Sequence, residues 1–461
     1  MPGFERGLAT AKGFFLPAFA AALLSGCVVG PDYQKPLLAM PASWSGQKAA
    51  RPAKPAQLSQ WWQRLRDPEL NALVAEAVAG NLDVATAKAK IREARASYRQ
   101  SVGTLLPSAN GSASATRNRS TATSSGTATG TTYDQYQAGF DASWELDLFG
   151  ANRRSVEAAS YGLDASEESL RSTLLTLVGD VASNYVQARG YQARIALARR
   201  SAASQRQTAQ LTRTMALAGS ATAADVAKAE GQASGTEAGV PSLEASYAEA
   251  VHRLSVLTGR PPAALNERLR HATPIPAPRL PIPTGIPADI LLARPDVRMA
   301  ERQYAQSTAK IGQAEAARYP GVSLTGDIST TSLKLGDLGK NSTIGWSFGP
   351  TLSVPLFNGG QLQAAVDVAK AQRDQYFVAY KAAVLTALED VENATVSLSQ
   401  ERIRNGKLAS SANPTAMPRG LKERSTRLAR PASSTCSMPN AQPIPPTIPS
   451  CKAASRSPPI T

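Results

Sequence analysis

The strongest constraint on the fold is an internal duplication of the chain. The tetrapeptide Asn81-Leu82-Asp83-Val84 returns 213 positions later as Arg294-Pro295-Asp296-Val297, and Pro107 meets Pro320 at the same spacing. A second motif, Glu145-Leu146-Asp147-Leu148-Phe149-Gly150, returns as Ser353-Val354-Pro355-Leu356-Phe357-Asn358. Because an internal repeat fixes the architecture before any local pattern does, the sequence predicts two copies of one unit. Each copy is expected to hold a helix, a pair of strands and a second helix.

Apolar and polar residues alternate strictly in several segments, which predicts β-strands. The alternation is clearest over residues 136–148 and 344–356, shorter over 322–329 and weaker over 108–117. Alternation over about ten residues fits a membrane strand with lipid on one side and water on the other. A half-buried sheet of a soluble protein has the same period and remains the alternative.

The two faces of these strands differ in chemistry. The residues expected to face lipid are Phe140, Trp144, Trp346 and Phe348, and those expected to line a water-filled lumen are Asp141, Glu145, Asp147 and Asp327. The polar segments 118–133 and 330–342 are expected to form hairpin loops. Four strands cannot close a barrel alone, and an open edge cannot lie in hydrocarbon, so the chain is expected to oligomerise. A trimer would supply twelve strands.

Long apolar periodicities of helical spacing predict helices that are too long for a small globular domain. One covers Pro68 to Leu106 and a second covers Val156 to Met215 without a proline. The run Ala218-Gly219-Ser220 is expected to break the chain, and a returning helix to span Ala223 to Leu257 with a kink near Pro241. The sequence therefore predicts a helical hairpin in the first copy.

The N-terminus reads as an export signal followed by a lipid anchor. Basic residues precede the short apolar run from Gly13 to Leu24, and the run ends in Leu24-Ser25-Gly26-Cys27. A run of this length is too short to span a bilayer, so it predicts a cleaved signal peptide. Small residues before a lone cysteine resemble the bacterial lipoprotein box, which implies acylation of Cys27 and anchoring to the outer membrane. An ordinary signal peptide with an incidental cysteine is the alternative.

Composition argues against other classes of protein. The net charge is +15, but the segment 407–461 holds eight basic residues and one acidic residue, and no basic stripe is interleaved with aromatic residues. Nucleic-acid binding is therefore not expected. His252 and His271 are the only histidines, and no nucleophile triad, metal-spaced Cys/His set or phosphate loop is present. The chain is not expected to be an enzyme or to hold a cofactor or metal.

Several motifs in order resemble TolC-like outer-membrane factors, in their lipoprotein (OprM-like) branch. They are Cys27-Val28-Val29-Gly30-Pro31-Asp32-Tyr33, Trp61-Trp62, Asp67-Pro68-Glu69-Leu70, Trp144-Glu145-Leu146-Asp147-Leu148-Phe149-Gly150, Arg294-Pro295-Asp296-Val297 and Pro355-Leu356-Phe357-Asn358-Gly359-Gly360. The resemblance implies an α+β membrane protein, a homotrimer with a twelve-stranded outer-membrane β-barrel continued by a periplasmic α-helical barrel. It also implies a passive channel-tunnel that exports drugs or toxic compounds together with a periplasmic adaptor and an inner-membrane efflux pump. The tip residues implied to meet the adaptor are Leu217, Ala218, Gly219, Ser220 and Asp225.

The resulting organisation has six segments. They are a signal peptide at 1–26, a lipid-anchored extended segment at 27–68, a first repeat at 69–260, a Pro-rich linker at 261–288, a second repeat at 289–406 and an aberrant tail at 407–461.

The tail departs from the duplication, because the second copy should hold its own helical hairpin there. The segment 407–461 instead contains ten of the 32 prolines, which a long helix cannot accommodate. With G or C at the free codon positions, back-translation of Met438-Pro439-Asn440-Ala441, read one base earlier, yields Asp-Ala-Gln-Arg. This resembles a motif of the family's second tip and suggests a frameshift. A divergent tail is the alternative, and it would make the chain a truncated, non-functional member. A periplasmic adaptor or scaffold lipoprotein is the alternative of another class.

Overall fold

The computed structural model describes residues 28–38, 60–124, 127–277 and 291–412. The helices are α1 Pro68–Gly80, α2 Leu82–Gly103, α3 Ala151–Leu217, α4 Ala223–Ala238, α5 Val240–Leu257, α6 Asn266–Leu269, α7 Pro295–Ala316 and α8 Gln361–Ala412; the strands are β1 Ser108–Ser124, β2 Thr127–Leu146, β3 Gly321–Ser332 and β4 Ile344–Ser353. The expected signal peptide, Cys27 and the tail beyond residue 412 lie outside the described residues. The chain divides into two units, with the boundary between Thr395 and Val396.

The four strands form one antiparallel sheet in the order β1-β2-β3-β4. Each hairpin joins two strands of the same copy, and β2 pairs with β3 to join the two copies. Across this central joint Asp141 lies opposite Asp327, and Phe140 lies opposite Ile328. Directly paired residues lie on the same face of a sheet, so the register keeps the polar residues together on one side and the apolar residues on the other.

The strands of the first hairpin are longer than the sequence predicts. The prediction of a hairpin loop at 118–133 is wrong, because β1 continues to Ser124 and β2 begins at Thr127. Both sides of this outer part are rich in Ser, Thr and Gly, so no apolar alternation marks it in the sequence. Threonine is β-branched and pairs well in strands, which favours extension of the ladder over a loop.

The first helical region is divided rather than continuous. Asn81 is extended (φ −68°, ψ 134°), and its side-chain oxygen accepts hydrogen bonds from the backbone N–H groups of Asp83 and Val84. An asparagine in this role caps the start of a new helix, so α1 and α2 are separate elements. The amide of Asn81 also donates to the carbonyl of Leu257, 3.0 Å away, which ties this break to the end of α5.

The helical hairpin of the first copy is present as predicted. Helix α3 has 67 residues, and the chain returns from Ala223. The expected kink falls between α4 and α5, at Gly239 with Pro241 in the first turn of α5. Proline has no N–H and is tolerated only in a first helical turn, which explains the interruption.

Two apolar clusters form the core, one in each copy. The first includes Leu70, Leu73, Val181, Tyr185 and Leu254, which come from α1, α3 and α5. The second is smaller and joins the start of α7 to α8 through Val297, Tyr380 and Val384. Among the described helices, none combines the length and the apolar content needed to cross a bilayer.

Candidate functional site

The apolar face of the sheet is exposed over several large side chains. Phe140 and Phe348 are each 70% exposed and Trp346 is 77% exposed, although aromatic side chains of this size are normally buried. Ile328 lies between Phe140 and Trp346 in the cross-strand register. The structure thus brings the predicted lipid-facing residues together on one contiguous surface.

Trp144 belongs to the same face but lies near the end of β2. Its indole N–H donates to the carbonyl of Leu105, 3.0 Å away, and 38% of the residue is exposed. Tryptophan with an apolar body and one satisfied polar group is typical of a membrane–water boundary. The end of β2 at Leu146 is therefore a suitable position for that boundary.

The polar face carries a row of side chains that crosses all four strands. The row consists of four residues that pair directly from one strand to the next: Asn110, Asp141, Asp327 and Ser347. The Asn110 amide donates to Asp141, 3.1 Å away, and the Ser347 hydroxyl donates to Asp327. Glu145 lies on the same face, four residues from Asp141 along β2. Both aspartates are exposed, so this face presents concentrated negative charge to solvent.

Asp147 does not lie on this face, which corrects its expected place in the lumen set. Strand β2 ends at Leu146, and the Asp147 carboxylate accepts hydrogen bonds from the backbone N–H groups of Asn152 and Arg153 at 3.0 and 2.8 Å. It also pairs with the Arg153 guanidinium at 3.3 Å. These bonds satisfy the unpaired donors at the start of α3, so Asp147 anchors the strand-to-helix junction.

The tip of the helical hairpin is a tight turn through Ala218, Gly219 and Ser220, and the predicted tip residue Asp225 lies in the first turn of α4. Leu217 ends α3 and is 87% exposed. Gly219 has a φ of +73°, the left-handed conformation that glycine adopts most readily. The Ser220 hydroxyl and N–H both donate to the carbonyl of Met215, at 2.9 and 2.8 Å.

The cap of the returning helix is Thr222, which sequence analysis did not identify. Thr222 and Asp225 form a reciprocal capping box: the Asp225 N–H donates to the Thr222 hydroxyl, and the Asp225 carboxylate accepts from the Thr222 N–H at 3.0 Å. The Thr222 hydroxyl also donates to the Asp225 carboxylate, 2.7 Å away, and this bond together with the one from the Thr222 N–H holds the pKa of Asp225 below its usual value. Asp225 thus has a structural role at the tip, which is compatible with a role in docking.

The segment 28–38, named here the N-terminal strap, packs along the junction of the two copies. Arg154 of α3 is 4% exposed and holds the strap at three points. It donates to the carbonyl oxygens of Val29 and Gly30, each at 3.2 Å, and to Asp32 at 2.7 Å. Gly30 has a φ of +89°, and a Cβ there would overlap the backbone of Gly312 in α7.

A second anchor of the strap is the hydroxyl of Tyr33. It donates to the carboxylate of Glu301 at 2.6 Å, and Glu301 is 5% exposed. The ring makes edge contacts with Tyr161 of α3 and Tyr304 of α7, both at 5.7 Å between centroids. Burial, and then the bond to Glu301, raises the pKa of Tyr33. Cys27 itself lies outside the described residues, directly before this strap.

Arg154 and Glu301 hold the strap through hydrogen bonds, and no sequence pattern predicts this role for either residue. They lie inside long helices, where a charged residue normally faces solvent. Apart from Val29, the strap residues that they contact lie in the tract Gly30-Pro31-Asp32-Tyr33, which the sequence marks only by its resemblance to a family motif. Their partners lie more than a hundred positions away in the sequence, so no local spacing could reveal them. No group of three or more metal-ligating side chains occurs among the described residues.

These features define a four-stranded sheet with an exposed aromatic face, joined to long helices, and comparison with known proteins identifies the class. A model of the outer membrane efflux protein family matches residues 73–260 and 286–408, and the chain belongs to that family.

Curated relatives agree with this assignment. The chain is 37% identical over 393 residues to nodulation protein T of Rhizobium leguminosarum bv. trifolii, with 83% of this chain and 81% of the relative covered. It is 34% identical over 383 residues to the toluene efflux pump outer membrane protein TtgI of Pseudomonas putida, with 82% of this chain and 81% of the relative covered.

A solved structure of the outer-membrane channel OprN has a TM-score of 0.77 to this chain at 33% identity, with 83% of this chain and 86% of the channel covered. The predicted fold class is confirmed: the chain has the α+β fold of trimeric outer-membrane efflux channels, with a β-barrel domain and a helical barrel. It is an outer-membrane efflux protein of the Gram-negative type that extends into the periplasm. Members of this family are channels.

Proposed function

We propose that this chain forms a homotrimeric, passive channel-tunnel that carries small toxic compounds across the outer membrane, and that it is not an enzyme. The observation that carries the proposal is the sheet of four strands, in which β1 and β4 each leave one edge without a partner in the described chain. Such edges cannot lie in hydrocarbon, and three copies close them into a twelve-stranded barrel. The exposed aromatic face then contacts lipid, and the acidic face lines the lumen.

The proposed lumen favours cations. Asp141, Glu145 and Asp327 lie on the polar face of the sheet, and a ring of such carboxylates around a pore attracts cations and repels anions. Trimerisation multiplies each carboxylate by three at one level of the barrel. Because the proposed channel is passive, the inner-membrane pump is proposed to select the cargo.

The hairpin tip at Leu217, Ala218, Gly219, Ser220 and Asp225 is proposed to contact a periplasmic adaptor, which links the channel to an inner-membrane pump. The exposure of Leu217 supports this, because an apolar side chain at a tip contributes nothing to the core of its own chain. The Gly219 turn and the Thr222 cap present that side chain on a rigid element. Replacing Leu217 with aspartate is therefore expected to reduce adaptor binding without unfolding the hairpin.

Lipid attachment at Cys27 is proposed to fix the chain to the outer membrane. The strap after Cys27 supports this position, because the Val29 N–H donates to the Phe149 carbonyl at 3.1 Å. Phe149 follows the end of β2, which is the proposed membrane boundary. An acylated Cys27 would thus lie beside the inner surface of the membrane.

We also infer that the tail predicted at 407–461 is encoded out of frame, although α8 continues as a helix to Ala412. The family match ends at residue 408, and residues 399–412 of α8 are all exposed. The equivalent part of α3 is covered by α4 and α5, through ion pairs such as Arg199–Glu244 at 2.5 Å. Sequencing the gene across residues 395–461 tests this point. An extra or missing base supports it, and an intact frame contradicts it.

Export in living cells tests the proposed function. The gene is expressed in a Gram-negative strain that lacks its own efflux channel but keeps that channel's adaptor and inner-membrane pump. Restored resistance to toluene and to antibiotics supports a channel, since relatives are named for those activities. Leu217→Asp is expected to abolish the resistance while the protein level in the outer membrane stays unchanged. Normal resistance with Leu217→Asp would contradict docking at the tip, and a chain released intact by salt would support the scaffold alternative.

A further inference from the structure

We infer the register in which β4 of one copy pairs with β1 of the next copy; this inference rests on the proposed trimer. The register brings Thr351 directly opposite Ser114 of the neighbouring copy. Ser347 then lies opposite Asn118, and Ser353 lies opposite Ser112. The internal duplication supplies the geometry, because the chain already contains one joint between a first copy and a second copy.

The two hairpins are equivalent residue by residue. In the first hairpin Ser108 pairs with Ser143, and in the second Gly321 pairs with Ser353. Ser108 and Gly321 are 213 positions apart, the same offset as between the first residues of α2 and α7, Leu82 and Pro295. The partners Ser143 and Ser353 are 210 positions apart.

The offset of 210 recurs where the strands lead into helices. Helix α3 begins at Ala151 and α8 begins at Gln361. The glycines before them, Gly150 and Gly360, have φ values of +83° and +85°. Strand register, helix start and backbone conformation therefore agree on one structural alignment of the copies. The Leu-Phe motif alone, Leu148-Phe149 against Leu356-Phe357, lies two positions closer and marks a local shift in the junction.

The joint between β2 and β3 is the template for the joint between chains. It connects the last strand of the first copy to the first strand of the second copy, with Asp141 opposite Asp327. By the offset of 210, Asp141 is equivalent to Thr351. By the offset of 213, Asp327 is equivalent to Ser114. Since β1 and β4 are the outer strands of the sheet, this pair forms only between chains.

The chemistry of the faces agrees with this register. Thr351, Ser347 and Ser353 are polar, and so are their proposed partners Ser114, Asn118 and Ser112. A slip by one residue would place polar residues opposite the lipid-facing ones, so only shifts by two residues compete. The duplication selects among those even registers.

The junction below the sheet gives a second, independent indication. Within the chain the ring of Phe149 stacks on Tyr319, with 4.7 Å between centroids. Phe357 is equivalent to Phe149 by the Leu-Phe motif, and Leu106 is equivalent to Tyr319 by the offset of 213. Phe357 is 92% exposed and Leu106 is 65% exposed, at the two outer sides of the sheet. Pairing of two copies in the proposed register brings this phenylalanine and this leucine together.

The register has a consequence for the lumen. The joint inside each chain places two aspartates side by side, whereas the joint between chains places threonine beside serine. Charge in the barrel is therefore expected in three acidic pairs separated by neutral pairs. Like charges opposite each other weaken strand pairing, so the neutral joint is the one better suited to assembly.

Disulfide trapping in the outer membrane tests the register. The full chain, as its gene encodes it, carries Cys436→Ser and Cys451→Ser wherever those cysteines are present. Thr351→Cys is combined with Ser114→Cys as the test pair, and with Ser112→Cys or Thr116→Cys as control pairs. The controls are displaced along the strand by two residues, about 7 Å. Asp141→Cys with Asp327→Cys reports the template joint and is expected to close within one chain.

The test pair is expected to give covalent dimers and trimers at least about tenfold more efficiently than either control, because a two-residue shift exceeds the reach of a disulfide. Preferential trapping of a control pair, or no trapping in a protein that light scattering shows to be trimeric, would overturn the register and leave the proposed function standing. A chain that is monomeric in every variant would overturn both.

Discussion

At the scale of single residues, Arg154 and Tyr33 do most to hold the strap on the fold. Both bury polar groups that are costly to leave without partners: Arg154 meets two carbonyl oxygens and two carboxylates, and Tyr33 meets the buried Glu301. These contacts connect the segment after Cys27 to both copies of the repeat. The strap therefore fixes α3 and α7 at the level where the strands begin.

Arg154→Met is expected to lower the free energy of unfolding by about 3 kcal/mol and to expose the strap to proteases, because a buried charge network loses its centre. Denaturant unfolding of the purified protein and limited proteolysis followed by mass spectrometry measure the two effects. Arg95→Met is the matched control. Arg95 pairs with Glu167 at the surface, with 60% and 40% of the side chains exposed, so a loss under about 1 kcal/mol is expected. Equal losses in both variants would contradict the role of Arg154.

Tyr33→Phe is expected to lower stability by about 2 kcal/mol at neutral pH, through loss of the bond to Glu301. Its effect depends on pH. Burial and the bond to Glu301 raise the pKa of Tyr33, so the stabilisation is complete below the unfolded value of about 10 and is lost as the pH rises above it. Above about pH 10 the native protein should therefore lose stability more steeply than the variant as the pH rises.

Unfolding midpoints measured at half-unit pH steps check this second prediction. Tyr319→Phe serves as the control, because Tyr319 contributes a stacked ring that the substitution keeps. Loss of the Tyr319 hydroxyl is expected to change the free energy of unfolding by less than about 0.5 kcal/mol. Parallel alkaline profiles for native protein and Tyr33→Phe would show that Tyr33 is not responsible.

At the scale of elements, the hairpin tip depends on backbone conformation more than on contacts. Gly219 has a positive φ and open space around its Cβ position, so the constraint there is conformational. Gly231 also has open space, but it lies inside α4, where alanine is the better helix former. The same substitution should therefore have opposite effects at two glycines of one hairpin.

Gly219→Ala is expected to destabilise the protein by about 1 kcal/mol, and Gly231→Ala is expected to stabilise it by up to about 1 kcal/mol. Thermal unfolding of both variants measures the pair, and hydrogen exchange of the tip locates the change. Destabilisation by both substitutions would indicate that packing, rather than backbone conformation, controls the tip.

The elements also show what sequence patterns can predict. Strand faces follow from strict alternation, so Phe140, Trp346, Asp141 and Asp327 fell on the expected sides. The outer part of the first hairpin carries no such alternation, so its sequence predicts a loop where the structure has strands. The break at Asn81 was missed because apolar spacing continues across it, and only the capping bonds distinguish two helices from one.

Tertiary partners were the least predictable feature. Asp147 continues the alternation of β2, and nothing local shows that its carboxylate binds the start of α3. The contacts of Arg154 and Glu301 join residues far apart in the sequence. The sequence therefore predicts the polar and apolar faces of the sheet, but not the bonds that hold the junction below it.

At the scale of the whole molecule, the duplication accounts for the sheet, the two cores and the arrangement of helices beneath the strands. Each copy contributes two strands, and one chain contributes a sheet with two unpaired edges. The exposed aromatic face, the acidic opposite face and the hairpin tip are all consistent with the proposed trimeric assembly. The central claim is that three chains close into a conducting outer-membrane barrel.

The most direct test is the mass and conductance of the protein purified from outer membranes in detergent. We expect complexes of three chains. In planar lipid bilayers these should produce discrete conductance steps and pass cations in preference to anions. Asp141→Asn with Asp327→Asn should keep the trimer and reduce the cation preference. Single chains that salt washing releases from the membrane, and that give no current, would contradict the account.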